Sequence, residues 1–205
     1  MIHINQKYFK TIYYAKKIIH EKSGDENSFI SSGIMNKKGS DCRIYNFSLP
    51  CLSFLYIASG RGKYIDARTK ECYPITPGCV LQRLPHVVHH TIIEEESNWL
   101  EIYINLNSEI FDTLVKIGLV TTKPVFYVGL SQIIFDKMIR FVNQVKDFPD
   151  YDATELVAQA QEILLYLNNA SKKQKVSSDM ERLCEYLQTH HQVSANLKDI
   201  CENLY

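Results

Sequence analysis

The sequence has no excess of either charge, no clustered cysteines and no long apolar run, and each absence excludes a class of protein. Lysine plus arginine and aspartate plus glutamate both total 23, unlike the basic balance of a dedicated nucleic-acid binder. The 6 cysteines form no C-x-x-C pair, which favours free thiols. The longest charge-free run, residues 44–60, contains Pro50 and is too short to cross a bilayer. The lysine-rich N-terminus lacks the apolar stretch of a signal peptide, so we expect a cytoplasmic protein.

Glycine and proline, which mark turns, nearly disappear from the last third of the chain. All 8 glycines lie at or before Gly129, and Pro149 is the last of the 6 prolines. This distribution predicts a change from β to α structure near residue 130. The predicted strands are residues 29–34, 43–48, 52–58, 63–67, 71–75, 80–84, 87–92, 99–106 and 124–128, with one helix at 108–118. Short strands at this spacing are typical of a sandwich or barrel.

Two amphipathic helices are predicted after the β region, at residues 131–146 and 153–170. The second helix carries Val157 and Leu165 outside its main apolar stripe, which is more apolar surface than one packing face requires. We therefore predict a homodimer, with Val157, Gln161 and Leu165 in its seam. The polar residues 171–178 are expected to form a linker.

The last segment, residues 179–205, has two short apolar stripes at helical spacing. Ser178 and Glu181 fit a capping box at its start. The stripes consist of Met180, Leu183, Cys184 and Leu187, and then Leu197, Ile200, Cys201 and Leu204. By pattern alone, this segment fits any α-hairpin.

Between Gly60 and His90 the chain combines hairpin turns with a histidine cluster. Gly60-Arg61-Gly62 marks one turn, and Pro77-Gly78 fits a type II turn, because proline sets φ near −65° and glycine supplies the positive φ. Three histidines follow, at positions 86, 89 and 90. The order resembles the small cupin barrel of AraC-type transcription regulators.

The C-terminal segment resembles the opening helices of the DNA-binding domain in that same family. Tyr186, His190, Leu197 and Ile200 fit the family pattern, whereas Cys201 stands where alanine is usual. The recognition helix, which reads base edges in helix-turn-helix proteins, would follow residue 205. The resemblance therefore implies a truncated start of this domain at 179–205 and operator DNA as a partner of the full-length protein only.

The resemblance implies an α+β fold, with a cupin-like (jelly-roll) β-barrel followed by amphipathic helices. Residues 1–130 would form the effector-binding barrel and residues 131–170 the dimerisation helices. The implied function is ligand-responsive transcription regulation, with a sugar or another small polar metabolite as effector. No enzymatic activity, cofactor or metal is expected.

The strand Trp99–Leu106 is the strongest candidate for the ligand site. Trp99, Glu101, Tyr103 and Asn105 alternate onto one face, and aliphatic residues occupy the other. Either the aliphatic face points inward, as in an ordinary half-solvated strand, or the polar-aromatic face lines a cavity.

The resemblance favours the polar-aromatic face. It places Glu101 and Tyr103 at ligand-contact positions, and the match is also close at His89. Arg43 or Tyr45 is expected as a second polar contact. The N-terminal segment up to residue 20 would act as an arm over the mouth. Cys79 and Thr91 depart from the family pattern, so the ligand's identity is not implied.

Two alternatives remain open at the level of sequence. The first is a metal-dependent cupin enzyme, which needs at least three convergent histidine or carboxylate ligands. No histidine lies between His20 and His86, and His89 and His90 point to opposite faces of a strand, so we expect no metal site. The second is a cupin-fold interaction module without a ligand, which a dry, aliphatic barrel interior would favour.

Overall fold

The computed structural model describes residues 13–18, 29–38, 42–147 and 153–189, together with Ile4 and Tyr8. Ten strands are described: β1 (Tyr13–Ile18), β2 (Phe29–Lys37), β3 (Arg43–Phe47), β4 (Leu52–Ser59), β5 (Gly62–Asp66), β6 (Cys72–Ile75), β7 (Cys79–Arg83), β8 (His89–Ile93), β9 (Trp99–Leu106) and β10 (Val125–Tyr127). Three helices accompany them: α1 (Ser108–Lys116), α2 (Gln132–Asp147) and α3 (Thr154–Thr189). None of these helices is long and apolar enough to span a bilayer.

The strands form two antiparallel sheets. The 6-stranded sheet has the order β1-β2-β9-β4-β7-β10, and the 4-stranded sheet has the order β3-β8-β5-β6. Residues from both sheets, such as Leu55 and Leu81 of the first and Tyr64 and Ile93 of the second, share one buried cluster, which we call the inner core. The predicted α+β class, with a cupin-like barrel followed by helices, is confirmed.

A second buried cluster, the outer core, lies between the 6-stranded sheet and the helices. Leu100, Ile102 and Ile104 of β9 join it, together with Phe141 of α2 and Leu164 of α3. Because helices cover the outer face and the small sheet covers the inner face, β4 and β9 are buried along nearly their whole lengths. The aliphatic face of β9 packs toward the helices, and its other face points into the barrel.

Glycine is required at two of the predicted turns. The amide of Cys79 donates to the Thr76 carbonyl at 3.0 Å across Pro77-Gly78, and Gly78 has φ 90°, as the predicted type II turn requires. Gly60 has φ 95°, and a Cβ there would lie 2.6 Å from Cα of Trp99. The chain can therefore pass this close to the start of β9 only as glycine.

Residues 171–178 do not form the predicted linker. They lie within α3, a single helix of 36 residues, and Ser178 is inside that helix and not at an N-terminal cap. The segment contains no glycine or proline, and its lysines and glutamine are good helix formers, so nothing in it ends the helix. The predicted second helix at 197–204 and most of the resemblance to a helix-turn-helix lie outside the described residues.

The N-terminal segment was expected to form an arm over the barrel mouth, but its described part does not. Residues 13–18 form an edge strand, β1, paired with β2 from Tyr13 opposite Ile34 to Ile18 opposite Phe29. The sequence of β1 lacks the apolar alternation that would have predicted a strand. Tyr8 packs edge-on against Phe135 of α2, with 5.7 Å between ring centroids, and thus contacts the outer core.

Candidate ligand site in the barrel interior

The polar-aromatic face of β9 points into the barrel. Trp99 and Tyr103 belong to the inner core, and the side chain of Glu101 between them is fully buried. The aliphatic residues of β9 pack instead against the helices. Of the two orientations that the alternation allowed, the structure has the one in which a carboxylate lies inside the barrel.

Glu101 is held by two partners. The indole Nε1 of Trp99 donates to Oε2 at 2.7 Å, and Nζ of Lys37 lies 2.8 Å from Oε1. Burial alone would raise the pKa of Glu101, but the positive charges of Lys37 and Arg83 outweigh burial and lower it. Glu101 is therefore ionised inside the barrel. This arrangement contains a buried ion pair, since Lys37 is only 6% exposed.

Arg83 is a second cation in the interior. Its side chain is 7% exposed, and its guanidinium carbon lies 5.3 Å from the ring centroid of Phe47. Burial lowers its pKa, and the carboxylate of Glu101 acts in the opposite direction. The Nε and Nη2 atoms of Arg83 are buried and have no hydrogen-bond partner among the described residues.

Polar residues continue across the 6-stranded sheet from Arg83. Ser53 of β4 pairs with both Arg83 and Asn105, and Asn105 pairs with Ser31 of β2. The Nδ2 of Asn105 donates to Oγ of Ser31 at 3.0 Å. This end of the sheet is thus polar, whereas its middle carries Leu55 and Leu81.

The 4-stranded sheet contributes Tyr64, His89 and Thr91, whose side chains are all fully buried. His89 stacks on Tyr64, with 4.9 Å between ring centroids, and meets the Phe47 ring edge-on at 5.6 Å. Its Nδ1 lies 3.1 Å from the Val87 carbonyl, which fixes Nδ1 as the protonated nitrogen of a neutral ring. Burial lowers the pKa of His89 to about 4 and raises that of Tyr64 to about 12.

These three residues also carry buried polar atoms without a partner. Oη of Tyr64, Nε2 of His89 and Oγ1 of Thr91 make no hydrogen bond to any described residue. At neutral pH, Tyr64 and Thr91 can each donate a proton and Nε2 of His89 can accept one. Buried polar groups are normally satisfied by protein, water or ligand, and these three atoms are available to a water molecule or a ligand in the interior.

Three of the five predicted ligand-binding residues lie in this region and two do not. Glu101, Tyr103 and His89 face the interior. Arg43 and Tyr45 are 65% and 58% exposed, so the prediction that one of them is the second polar contact is wrong. Arg43 lies 3.5 Å from Glu95 at the surface, and Tyr45 lies beside His90.

The register of β3 against β8 explains this error. Ile44 lies opposite the buried Thr91 and is half-buried, so its neighbours Arg43 and Tyr45 face outward by ordinary alternation. The register then shifts between Ile44 and Phe47, where Asn46 has φ 50°, and Phe47 takes the inward position beside His89. Which of the two faces of β3 is inward depends on its pairing with β8, which the sequence of β3 alone does not show.

Sequence reasoning missed Lys37, Tyr64, Arg83 and Thr91. For Arg83 a signal existed, since Cys79, Leu81 and Arg83 occupy one face of β7. Lys37 escaped because the predicted strand stopped at residue 34, whereas β2 continues to Lys37 and pairs it with Trp99. Neither position suggests by itself that a basic side chain is buried.

The histidines do not converge on one point. His89 faces the interior, whereas Nδ1 of His90 accepts from the Asn46 amide at the surface. His86 has φ 60° in the preceding turn. Among the described residues, no group of three or more His, Cys, Asp or Glu side chains could hold a metal ion.

No family model and no curated protein matches the chain. Among solved structures, ToxT from Vibrio cholerae O395, bound to (E)-4-(8-methylnaphthalen-1-yl)but-3-enoic acid, is 14% identical with a TM-score of 0.44, over 85% of this chain and 71% of ToxT. A cupin-like protein from Thermotoga maritima is 18% identical, with a TM-score of 0.33, over 58% of this chain and 76% of its own.

A putative mannose-6-phosphate isomerase from Ralstonia eutropha is also similar, at 12% identity and a TM-score of 0.33, over 51% of this chain and 97% of that protein. At these identities the likeness concerns the fold and not the ligand or the activity. What the chain shares with these solved structures is the cupin-like fold.

Proposed function

We propose that this chain is the effector-sensing and dimerisation part of an AraC-type, ligand-responsive transcriptional regulator. The observation that carries the proposal is the polar-aromatic face of β9, which lies inside the barrel with the ionised carboxylate of Glu101 at its centre. A barrel that served only as an interaction module would be expected to have an aliphatic interior, because burying charged groups is costly.

The effector is proposed to be a small polar molecule. The rings of Trp99, Tyr103 and Tyr64 offer flat apolar surface, and the unpaired atoms of His89 and Thr91 offer hydrogen bonds. A sugar has this combination of C–H faces and hydroxyl groups. Glu101 already accepts from Trp99 and pairs with Lys37, however, so a sugar would share that carboxylate with both.

The homodimer is proposed to form along α3. Val157 and Gln161 are half-buried, and Leu165 is 45% exposed. Farther along α3, Val176 and Met180 are 64% and 53% exposed. A second copy of α3 would cover these residues by side-chain interdigitation.

DNA binding is proposed for the regulator through a helix-turn-helix domain. By resemblance, residues 179–205 correspond only to the opening helices of its DNA-binding domain, and the recognition helix makes the base contacts. A cytoplasmic location is proposed, in keeping with a role in transcription. A metal-dependent enzyme is not proposed, since the described residues contain no suitable ligand cluster.

Trp99 provides a direct test of effector binding, because it is the only tryptophan and it donates to Glu101 inside the barrel. Purified protein is titrated with pentoses, hexoses, amino acids and organic acids while tryptophan emission and melting temperature are recorded. We expect one chemical class to change both signals in a saturable way.

A matched pair of variants separates a barrel ligand from surface binding. Tyr103→Phe alters the interior, whereas Tyr45→Phe alters a tyrosine that is 58% exposed. Binding should weaken in Tyr103→Phe and stay unchanged in Tyr45→Phe. If no class of compound changes either signal, the effector-sensing proposal is wrong.

A further inference from the structure

The charges buried in the described part of the barrel do not balance. The buried charged side chains are Lys37, Arg83 and Glu101, that is, two cations and one carboxylate. Lys37 forms the close ion pair with Glu101. His89 adds no charge at neutral pH, because burial lowers its pKa to about 4. The positive charge of Arg83 is therefore left without a close carboxylate.

Asp66, a carboxylate of the 4-stranded sheet, is engaged by the backbone of a turn. Asp66 ends β5, and its Oδ1 accepts the backbone amides of Arg68 and Thr69 at 2.8 and 3.0 Å in an exposed turn. Burial lowers the pKa of Arg83, and the charges of Glu101, Tyr64 and Cys51 raise it. No described residue accepts a hydrogen bond from its Nε or Nη2.

The two unpaired atoms lie on the same edge of the guanidinium. Nε–H and the Nη2–H beside it point in parallel, which is the fork that binds the two oxygens of a carboxylate side-on. Leaving a buried arginine unpaired costs stability, so a protein retains one where it has a binding role. The guanidinium lies over the Phe47 ring, with its central carbon 5.3 Å from the ring centroid.

The surroundings suit an organic anion. Phe47, His89 and Tyr64 form a continuous row of rings, with centroid distances of 5.6 and 4.9 Å, beside which a carbon skeleton can pack. The hydroxyls of Tyr64 and Thr91 are unpaired donors. The pKa of Tyr64, raised to about 12, keeps its proton in place at neutral pH.

We propose that the effector carries a carboxylate, which Arg83 binds side-on through Nε and Nη2 while the ring row contacts the organic part of the molecule. This inference rests on the proposed effector-sensing function and narrows it. A neutral sugar would leave Arg83 uncompensated, whereas one carboxylate brings the charge of the described interior to zero.

Sodium benzoate is the probe, and benzamide is its neutral counterpart of nearly the same size and shape. Melting temperature and Trp99 emission are followed at constant ionic strength, with inorganic phosphate as a third ligand. We expect benzoate to stabilise the protein in a saturable way and benzamide and phosphate to have no effect. Arg83→Met should weaken benzoate binding on the order of tenfold or more.

Arg43→Met is the matched control, since Arg43 is 65% exposed, and it should bind benzoate as the wild type does. Urea unfolding of ligand-free Arg83→Met provides a readout independent of any ligand. If Arg83 is a binding residue, this variant is as stable as the wild type or more stable. A clear loss of stability would assign Arg83 a structural role and overturn the inference.

The remaining outcomes separate this inference from the proposed function. Equal binding of benzoate and benzamide would support an effector site but refute the requirement for a carboxylate. A sugar that binds independently of Arg83 would have the same meaning. Stabilisation by phosphate alone would show that Arg83 binds an inorganic anion and not an organic acid, and would overturn the inference. Failure of benzoate together with every compound of the wider screen would refute both.

Discussion

Lys37 of β2 and Glu101 of β9 form an ion pair inside the barrel, with 2.8 Å between Nζ and Oε1. Lys37 is the last residue of β2, and it lies opposite Trp99, whose indole donates to the same carboxylate. Glu101 is therefore held by a cation from the neighbouring strand β2 and by an indole from its own strand.

Removing Lys37 should destabilise the fold strongly. Lys37→Met leaves Glu101 buried with Arg83 as its remaining cation, and loss of one partner of a buried pair costs about 3–5 kcal/mol. Urea unfolding measures this loss. Arg43→Met, which breaks the exposed pair with Glu95, should cost less than about 1 kcal/mol. Equal effects of the two variants would show that the Lys37–Glu101 pair contributes little.

Stability should fall as the pH drops from 6.5 toward 4. The pKa of His89 in the folded protein, about 4, lies below its value of 6.5 in the unfolded chain, so the unfolded state takes up the proton first. The contribution of His89 is complete above pH 6.5 and is lost progressively toward pH 4. We expect a loss of roughly 2 kcal/mol from this group.

Urea unfolding at a series of pH values tests the role of His89. His89→Gln should flatten the pH dependence between 6.5 and 4, whereas His90→Gln, at the barrel surface, should leave it unchanged. Glu101 adds a further loss at lower pH, because its lowered pKa stabilises the fold only while the carboxylate is ionised. An unaltered slope in His89→Gln would refute the assignment.

Gly60→Ala should disturb the start of β9. The new Cβ would meet Cα of Trp99 at 2.6 Å, and φ of 95° is unfavourable for alanine. Gly118 is the control, because it also has a positive φ, of 72°, but open space around it. Gly118→Ala should cost about 1 kcal/mol of unfolding free energy. Gly60→Ala should lower the unfolding free energy by more than Gly118→Ala does and should shift the emission of Trp99. Equal losses in the two variants would show that the backbone at Trp99 moves to accommodate the new Cβ at little cost.

Leu165→Glu should convert the proposed dimer to monomer, because it places an unpaired charge in the α3 seam. Sedimentation velocity measures the change. Ile117→Glu, a similar change at an exposed residue just after α1, should leave the association state unaltered. A dimer that survives Leu165→Glu would place the interface elsewhere.

Local patterns in the sequence determined much of this protein. The alternation of Trp99, Glu101 and Tyr103, the Pro77-Gly78 turn and the apolar stripes of α2 and α3 were all readable, because each depends on residues within a few positions of one another. The change from strands to helices near residue 130 followed from where glycine and proline occur. The fold class was predictable for the same reason.

Only the tertiary structure decided which face of β9 points inward, since that depends on helices packing against the outer face from far along the chain. It also decided that Lys37 and Arg83 enter the interior while Arg43 and Tyr45 do not, through the length of β2 and the register of β3 against β8. A buried charge has no local signature. Its position is set by which distant strand supplies the compensating group, and pairing between strands is a property of the assembled sheet.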